Sequence, residues 1–240
     1  MRRFFAENAD LSCGSVSLTG DEARHIRNVL RMRAGDEVLL INGSGTECVA
    51  RIASVSEQEV VLEVVQSRVC SAEPSAAVTL FQCFPKQGKM ELIIQKCVEL
   101  GVGAIVPTAS KRCVVKPGGN DNKLVRWNKV SAEAAKQCGR ASVPEVTAPV
   151  PLDKADFSLF DLVLIPYENE TDTTLKKALR GRGNASKIAV IIGPEGGFEP
   201  KEVERVIEAG GVPVSLGRRI LRTETAGMAC LAQIMYELEQ

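Results

Sequence analysis

Val190-Ile191-Ile192-Gly193-Pro194-Glu195-Gly196-Gly197-Phe198-Glu199-Pro200-Lys201-Glu202 decides how this chain is read. An apolar run ends in a glycine-rich loop, and the loop opens a helix. In open α/β sheets, ligands bind beyond the carboxyl ends of the strands. Glycine there lets a ligand approach the backbone, or permits positive φ. The stretch is therefore a ligand loop or a merely tight turn. It lacks GxGxxG and GKS/T, which disfavours dinucleotides and P-loop nucleotides. Glu195 and Glu199 disfavour a phosphate at the helix start.

The pattern around it is strand–helix alternation. The periodicity predicts strands over 78–84, 103–107, 160–166, 187–193 and 213–216. Helices are predicted over 88–100, 123–137, 172–180, 200–209 and 223–238. Several strands are apolar on both faces, which means a mostly parallel sheet covered by helices. Residues 1–69 differ. Short strands and glycine turns around Gly35 and Gly43-Ser44-Gly45 suggest a small barrel. Thr19 is placed to cap a helix running to Leu30. Residues 70–77 read as a linker, giving domains 1–72 and 73–240.

The chain has 240 residues, with 30 basic and 30 acidic side chains. This is globular composition, and the balance excludes a histone-like polycation. Residues 81–142 nevertheless hold 11 basic against 4 acidic residues. Such a segment suits an RNA backbone, or is a solvated face offset by acids nearby. No apolar run approaches bilayer length, and Glu7, Asn8 and Asp10 interrupt any signal-peptide core, so a cytoplasmic protein is expected. Eight cysteines without CxxC spacing and a single histidine disfavour zinc and a disulfide framework. Most of the cysteines are expected as small buried hydrophobes.

Four further stretches carry chemistry. Leu216-Gly217-Arg218-Arg219-Ile220-Leu221-Arg222-Thr223-Glu224-Thr225-Ala226 is a second strand end with a loop and a helix, where Thr223 or Thr225 can cap. Ile220 and Leu221 suit an apolar ring. Arg218, Arg219 and Arg222 reach RNA or pair with Glu195 and Glu224. Ile165-Pro166-Tyr167-Glu168 is a third strand end, either a pocket wall or a plain corner. Glu133 to Arg140 is a helix stopped by Gly139, with Arg140 just beyond, binding phosphate or a base edge or serving the helix dipole. Arg24, Arg27 and Arg31 share a helical face beside His25 and suit a phosphate backbone. Cys138 has no histidine to activate it.

Together His25–Arg31, Gln95–Val102, Glu133–Arg140, Ile192–Phe198 and Leu216–Ala226 resemble the bacterial small-subunit ribosomal RNA uracil-N3 methyltransferases of the knotted SpoU–TrmD superfamily. The combination of GPEGG with LGxRILRxETA is specific, and the resemblance covers essentially the whole chain. It implies a PUA-like N-terminal barrel that helps bind RNA, and a C-terminal α/β domain with a deep trefoil knot. It also implies S-adenosylmethionine bent in the knot, a homodimer, and methylation at N3 of one uridine of 16S ribosomal RNA on the assembled small subunit. No metal and no membrane are implied. Cys97 and Cys138 stand where the family commonly has small residues.

Carried onto this chain, the cofactor residues are Leu164, Ile165 and Pro166, then Ile192, Gly193, Pro194, Glu195, Gly196 and Gly197, then Leu216, Gly217, Arg219, Ile220 and Leu221. The RNA candidates are Arg2, Arg3, Arg24, His25, Arg27, Arg31, Lys86, Lys111, Arg112 and Arg140. A sulfonium methyl is already electrophilic, so the enzyme must orient it and remove the uracil N3 proton. Arg140 and Arg222 are candidates to stabilise the resulting charge, and Glu195 or water to take the proton. Two rivals stay open. One is a ribose 2′-O methyltransferase of the same superfamily. The other is a noncatalytic RNA-binding assembly protein.

Overall fold

A computed structural model describes all residues except 7, 8, 13, 87, 115–120, 184 and 240. The expectations for Glu7, Asn8 and Cys13 lie outside the described residues. The chain divides into two compact units. One is residues 1–73 with 135–143, and the other is 74–134 with 144–240.

In the first unit, β1 (Arg3–Phe5), β2 (Ser15–Thr19), β3 (Glu37–Ile41), β4 (Thr46–Val55) and β5 (Glu59–Val69) form one sheet in the order β1-β3-β4-β5-β2. The pair β1·β3 is parallel and the others are antiparallel. Alternate residues from all five strands, among them Phe4, Leu18, Leu40, Ile52 and Leu62, meet in one core. Among the described residues no ladder joins β1 to β2. The expected barrel is thus a sheet curled over its core rather than one closed by hydrogen bonds.

The expected helix to Leu30 is not uniform. Helix α1 (Gly20–Arg24) passes into a π-helical turn, His25–Val29, and the side chain of Thr19 makes no cap bond. The wider turn breaks the spacing assumed for an arginine row. Arg31 lies past the turn at φ +52°. Its neighbours are also engaged: Arg24 pairs with Asp21, and Arg27 donates to the carbonyls of Ser56 and Glu57. The His25 ring packs edge-on against Phe4. Arg3 is spent inward, donating to the Gly139 carbonyl and lying 3.7 Å from the Glu47 carboxylate.

A linear boundary near residue 72 misses the return of residues 135–143. Glu73 is the reason. One of its oxygens accepts the backbone N–H groups of Ala141 (2.8 Å) and Ser142 (2.7 Å). The other accepts Arg140 Nε (3.2 Å) and Nη2 (3.1 Å). The Arg140 side chain is only 6% exposed. Gly139 stops the preceding helix at φ +89°, a conformation costly for any residue with a Cβ.

In the second unit, β6 (Ala77–Cys83), β7 (Ala104–Ala109), β8 (Glu145–Val146), β9 (Val150–Pro151), β10 (Leu162–Pro166), β11 (Lys187–Ile192) and β12 (Val212–Val214) form a parallel sheet. Its order is β12-β10-β11-β6-β7-β8, with β9 also on β7. Helices α2 (Lys89–Glu99), α3 (Asp121–Cys138), α4 (Leu175–Gly181), α5 (Pro200–Glu208) and α6 (Thr223–Leu238) connect or follow the strands. Phe81, Cys83, Ile165, Ala189 and Ile191 point to the α5 side, where Val203 and Val206 cover them. The alternate residues Leu80, Gln82 and Ile192 face Gly227 of α6. Both sheet faces are therefore buried, as doubly apolar strands require. Helix α4 starts later than expected. Thr174 caps it by accepting the Lys177 N–H, because the Glu170 carboxylate already binds the N–H groups of Asp172 and Thr173.

Replacing Arg140 by alanine would leave the inward-turned Glu73 carboxylate without its cation. We expect a loss of about 2 kcal/mol or more in urea unfolding, with Arg140→Lys recovering only part. A variant as stable as the parent would show that this pair does not hold the returning segment.

Candidate functional site

Strand β10 pairs with β11 on one side and β12 on the other, so three carboxyl ends lie side by side. The loops leaving them enclose a cavity of about 510 Å³, a size suited to a small-molecule ligand. Of the predicted cofactor residues, Pro166, Ile192–Gly197, Leu216, Gly217, Arg219, Ile220 and Leu221 line it. Leu164 and Ile165 do not. They are fully buried inside β10, in register with Val212 and Pro213. Tyr167, Glu168, Phe198, Ser215, Arg218, Arg222, Thr223 and Ala226 complete the lining.

Gly197 is the glycine of the loop after β11 that needs a left-handed backbone. It sits at φ +66°, and a Cβ there would lie 2.6 Å from Glu168 Oε1. At Gly193 a Cβ would meet the Phe198 ring at 3.0 Å, so that ring packs directly beneath the loop. Gly196 has ordinary φ, and its nearest neighbour would be Arg112 Cβ at 3.5 Å. Within this loop, backbone conformation therefore requires glycine at 197 and not at 196.

Two ties join the loop after β11 to the start of α6. In the inner tie, Gln82 Nε2 donates to Thr223 Oγ1 (2.9 Å), and Thr223 donates to the Gly193 carbonyl (2.6 Å). In the outer tie, Lys89 Nζ lies 3.0 Å from Glu224 and 3.8 Å from Glu195. Burial works to raise the Glu224 carboxyl, but its own backbone N–H and the Lys89 and Arg222 cations outweigh this and hold it below the usual range. Glu195 also accepts the Lys86 N–H at 2.9 Å. Lys89 thus takes both carboxylates that the arginines were placed to meet. Arg218 and Arg219 remain exposed, with no hydrogen-bonding or ionic partner among the described residues. Neither Thr223 nor Thr225 caps α6: its N-cap is Arg222, which makes no side-chain cap bond. Gln82 and Lys89 were not legible as site residues, since one sits in an apolar strand and the other opens a surface helix.

The remaining candidates fall elsewhere. Arg140 belongs to the first unit, where its guanidinium pairs with Glu73. Arg112 donates to the Gly196 carbonyl (3.1 Å), and the Lys111 N–H to Glu202 (2.9 Å), so both brace the loop and its helix. Among the described residues no cluster of His, Cys, Asp or Glu could hold a metal, and no helix is long and apolar enough to cross a membrane.

The described cysteines are free. Burial pushes the Cys97 thiol up to about 12. Cys113 is the exception: the Cys83 thiol and Ser110 hydrogen-bond to it, outweigh its burial and bring it down to about 6. Iodoacetamide at pH 7.5 should therefore modify Cys113 ahead of Cys83, Cys97 and Cys230, read by peptide mass spectrometry. Gly197→Ala should cost about 1 kcal/mol in thermal unfolding, from forcing a Cβ into the left-handed region, while Gly196→Ala should cost much less. Equal losses would remove the special status of Gly197.

Residues 72–235 match the model of an RNA methyltransferase domain, and residues 18–65 that of an RNA methyltransferase PUA domain. The chain is 34% identical to ribosomal RNA small subunit methyltransferase E of Bacillus subtilis, over 100% of this chain and 98% of that protein. It is 33% identical to the Synechocystis protein of the same name, over 94% and 74%. The crystal structure of the Neisseria gonorrhoeae methyltransferase E bound to S-adenosyl methionine superposes with a TM-score of 0.85 at 32% identity, covering 99% of this chain and 98% of that one. A Legionella pneumophila methyltransferase with the same cofactor bound gives 0.83 at 31% identity, over 98% and 97%. With both domain models matched in order and curated relatives aligned along its whole length, the chain belongs to the ribosomal RNA small subunit methyltransferase E family.

Proposed function

We propose that the protein methylates N3 of a uridine in 16S ribosomal RNA of the small subunit, with S-adenosylmethionine as donor. The observation that carries this reading is the cavity at the ends of β10, β11 and β12, walled by backbone at Gly193–Gly197 and by Leu216–Leu221. Its volume and mixed lining fit a nucleoside-sized cofactor, with Ile220 and Leu221 for an apolar ring and backbone groups for its polar edges. When bound, the cofactor supplies an electrophilic methyl on sulfur. The chain must present an unpaired uracil to it and accept the N3 proton.

Arg222 is exposed at the cavity wall and stands ready to stabilise charge on the uracil oxygens. Glu195, the earlier candidate for the proton, is held by Lys86 and Lys89. Glu168 lines the same cavity without a hydrogen-bonding or ionic partner among the described residues, and we assign the proton to it. Arg218 and Arg219 stand open for backbone phosphate, as do Arg2 and Arg31 in the first unit. A knotted threading of the C-terminal segment, a homodimer and a cytoplasmic location complete the reading. The half-buried Met228 and the 72% exposed Tyr236 on α6 support the dimer.

The test is methyl transfer to small subunits lacking the modification, followed by nucleoside analysis. We expect 3-methyluridine. A ribose-methylated product would move the protein to the 2′-O class, and no transfer would leave a binding protein. Arg222→Ala should lower the single-turnover rate about tenfold, equivalent to about 1.4 kcal/mol, with cofactor affinity nearly intact. Glu168→Gln should lower it too, and full activity in that variant would return the proton to Glu195 or water.

A further inference from the structure

We propose that Thr223 is a positioning residue for the cofactor cavity, and that Gln82 sets the direction of its hydroxyl. The inference rests on the cavity being the cofactor site. Gln82 is fully buried and Thr223 is 4% exposed. Both N–H groups of the Gln82 amide are used, one on the Cys83 carbonyl (3.0 Å) and one on Thr223 Oγ1 (2.9 Å). Having accepted from Gln82, the Thr223 hydroxyl turns its own hydrogen to the Gly193 carbonyl at 2.6 Å. The result is a directed relay, from the end of β6 through the first residue of α6 to the first residue beyond β11.

That relay touches both cofactor loops at their roots. Gly193 opens the glycine loop, and Thr223 closes the Leu216–Arg222 loop. The Phe198 ring lies close against Gly193, where a Cβ would meet it at 3.0 Å, so the backbone that carries the accepting carbonyl is closely packed. The hydroxyl is not diverted to capping, since α6 has no side-chain cap.

Gln82 is also an expensive residue for mere packing. It lies among Val78, Leu80, Phe81 and Cys83, all buried, and its Oε1 is buried without a partner. An apolar side chain would avoid that orphaned acceptor. What glutamine supplies instead is a fixed donor. A pocket whose loops are spaced before the ligand arrives binds without the cost of ordering them.

The test compares Thr223→Val, which keeps shape and loses the hydroxyl, with Thr223→Ser, which keeps the hydroxyl. S-adenosylhomocysteine affinity is measured by calorimetry, alongside the thermal midpoint of each variant without ligand. Thr223→Val should bind at least tenfold more weakly, and Thr223→Ser within about threefold of the parent. Gln82→Met removes the donor and should also weaken binding. It carries the test if Thr223→Val does not fold. Adding Gln82→Met to Thr223→Val should cost no further affinity, because the two act through one relay. A folded Thr223→Val with parental affinity overturns the proposal, as does Thr223→Ser falling as far as Thr223→Val. Failure of the parent to bind S-adenosylhomocysteine would instead remove the cofactor reading itself.

Discussion

The register of β11 on β6 is the constraint on which the site depends. Lys187–Ile192 pairs residue by residue with Ala77–Gln82, so β11 ends level with Gln82, one residue before the end of β6. That register brings Gln82 and Gly193 both within reach of Thr223. Because side chains alternate along a strand, a one-residue slip would send Gln82 to the α5 face and the phenylalanine beside it to α6. The burial of both faces makes such a slip costly. The apolar core thereby fixes the position of a polar relay that contributes little to the core itself.

The first unit depends on a different kind of interaction. Its sheet encloses an apolar core from its own strands, and its later piece, residues 135–143, adds polar ties to the packing of Ala141 on Ile41 and Cys70. Glu73 collects two backbone N–H groups and a guanidinium, and Gly139 supplies the sharp turn that presents them. A carboxylate with several donors is held strongly where water is scarce. Arginine at a helix end is here an architectural residue, although its position in the chain is equally compatible with a ligand contact.

Charge at the cavity follows from competition for partners. Lys89 and the Lys86 N–H claim Glu195, and Lys89 claims Glu224. This leaves Arg218, Arg219 and Glu168 without an ionic partner among the described residues. The cavity rim thus carries both exposed guanidinium groups and an exposed carboxylate. The division of charge arises from where α2 begins, not from the composition of the loops.

The sequence by itself determined the alternation of strands and helices, the three glycine- or proline-marked strand ends and the long final helix over 223–238. Each is a local matter of periodicity and backbone freedom. The family followed from motifs quoted residue by residue. Only the tertiary structure decided which polar groups are spent and which are free. That Arg140 meets Glu73, and Arg3 the Gly139 carbonyl, could not be read from their places in the chain. Gln82 looks like a misplaced polar residue in a strand until Thr223, 141 positions later, arrives beside it. The even spacing of Arg24, Arg27 and Arg31 dissolves once the helix widens into a π turn. Hydrogen-bond partners far apart in the chain leave no periodic trace, because their proximity is a property of strand order and register.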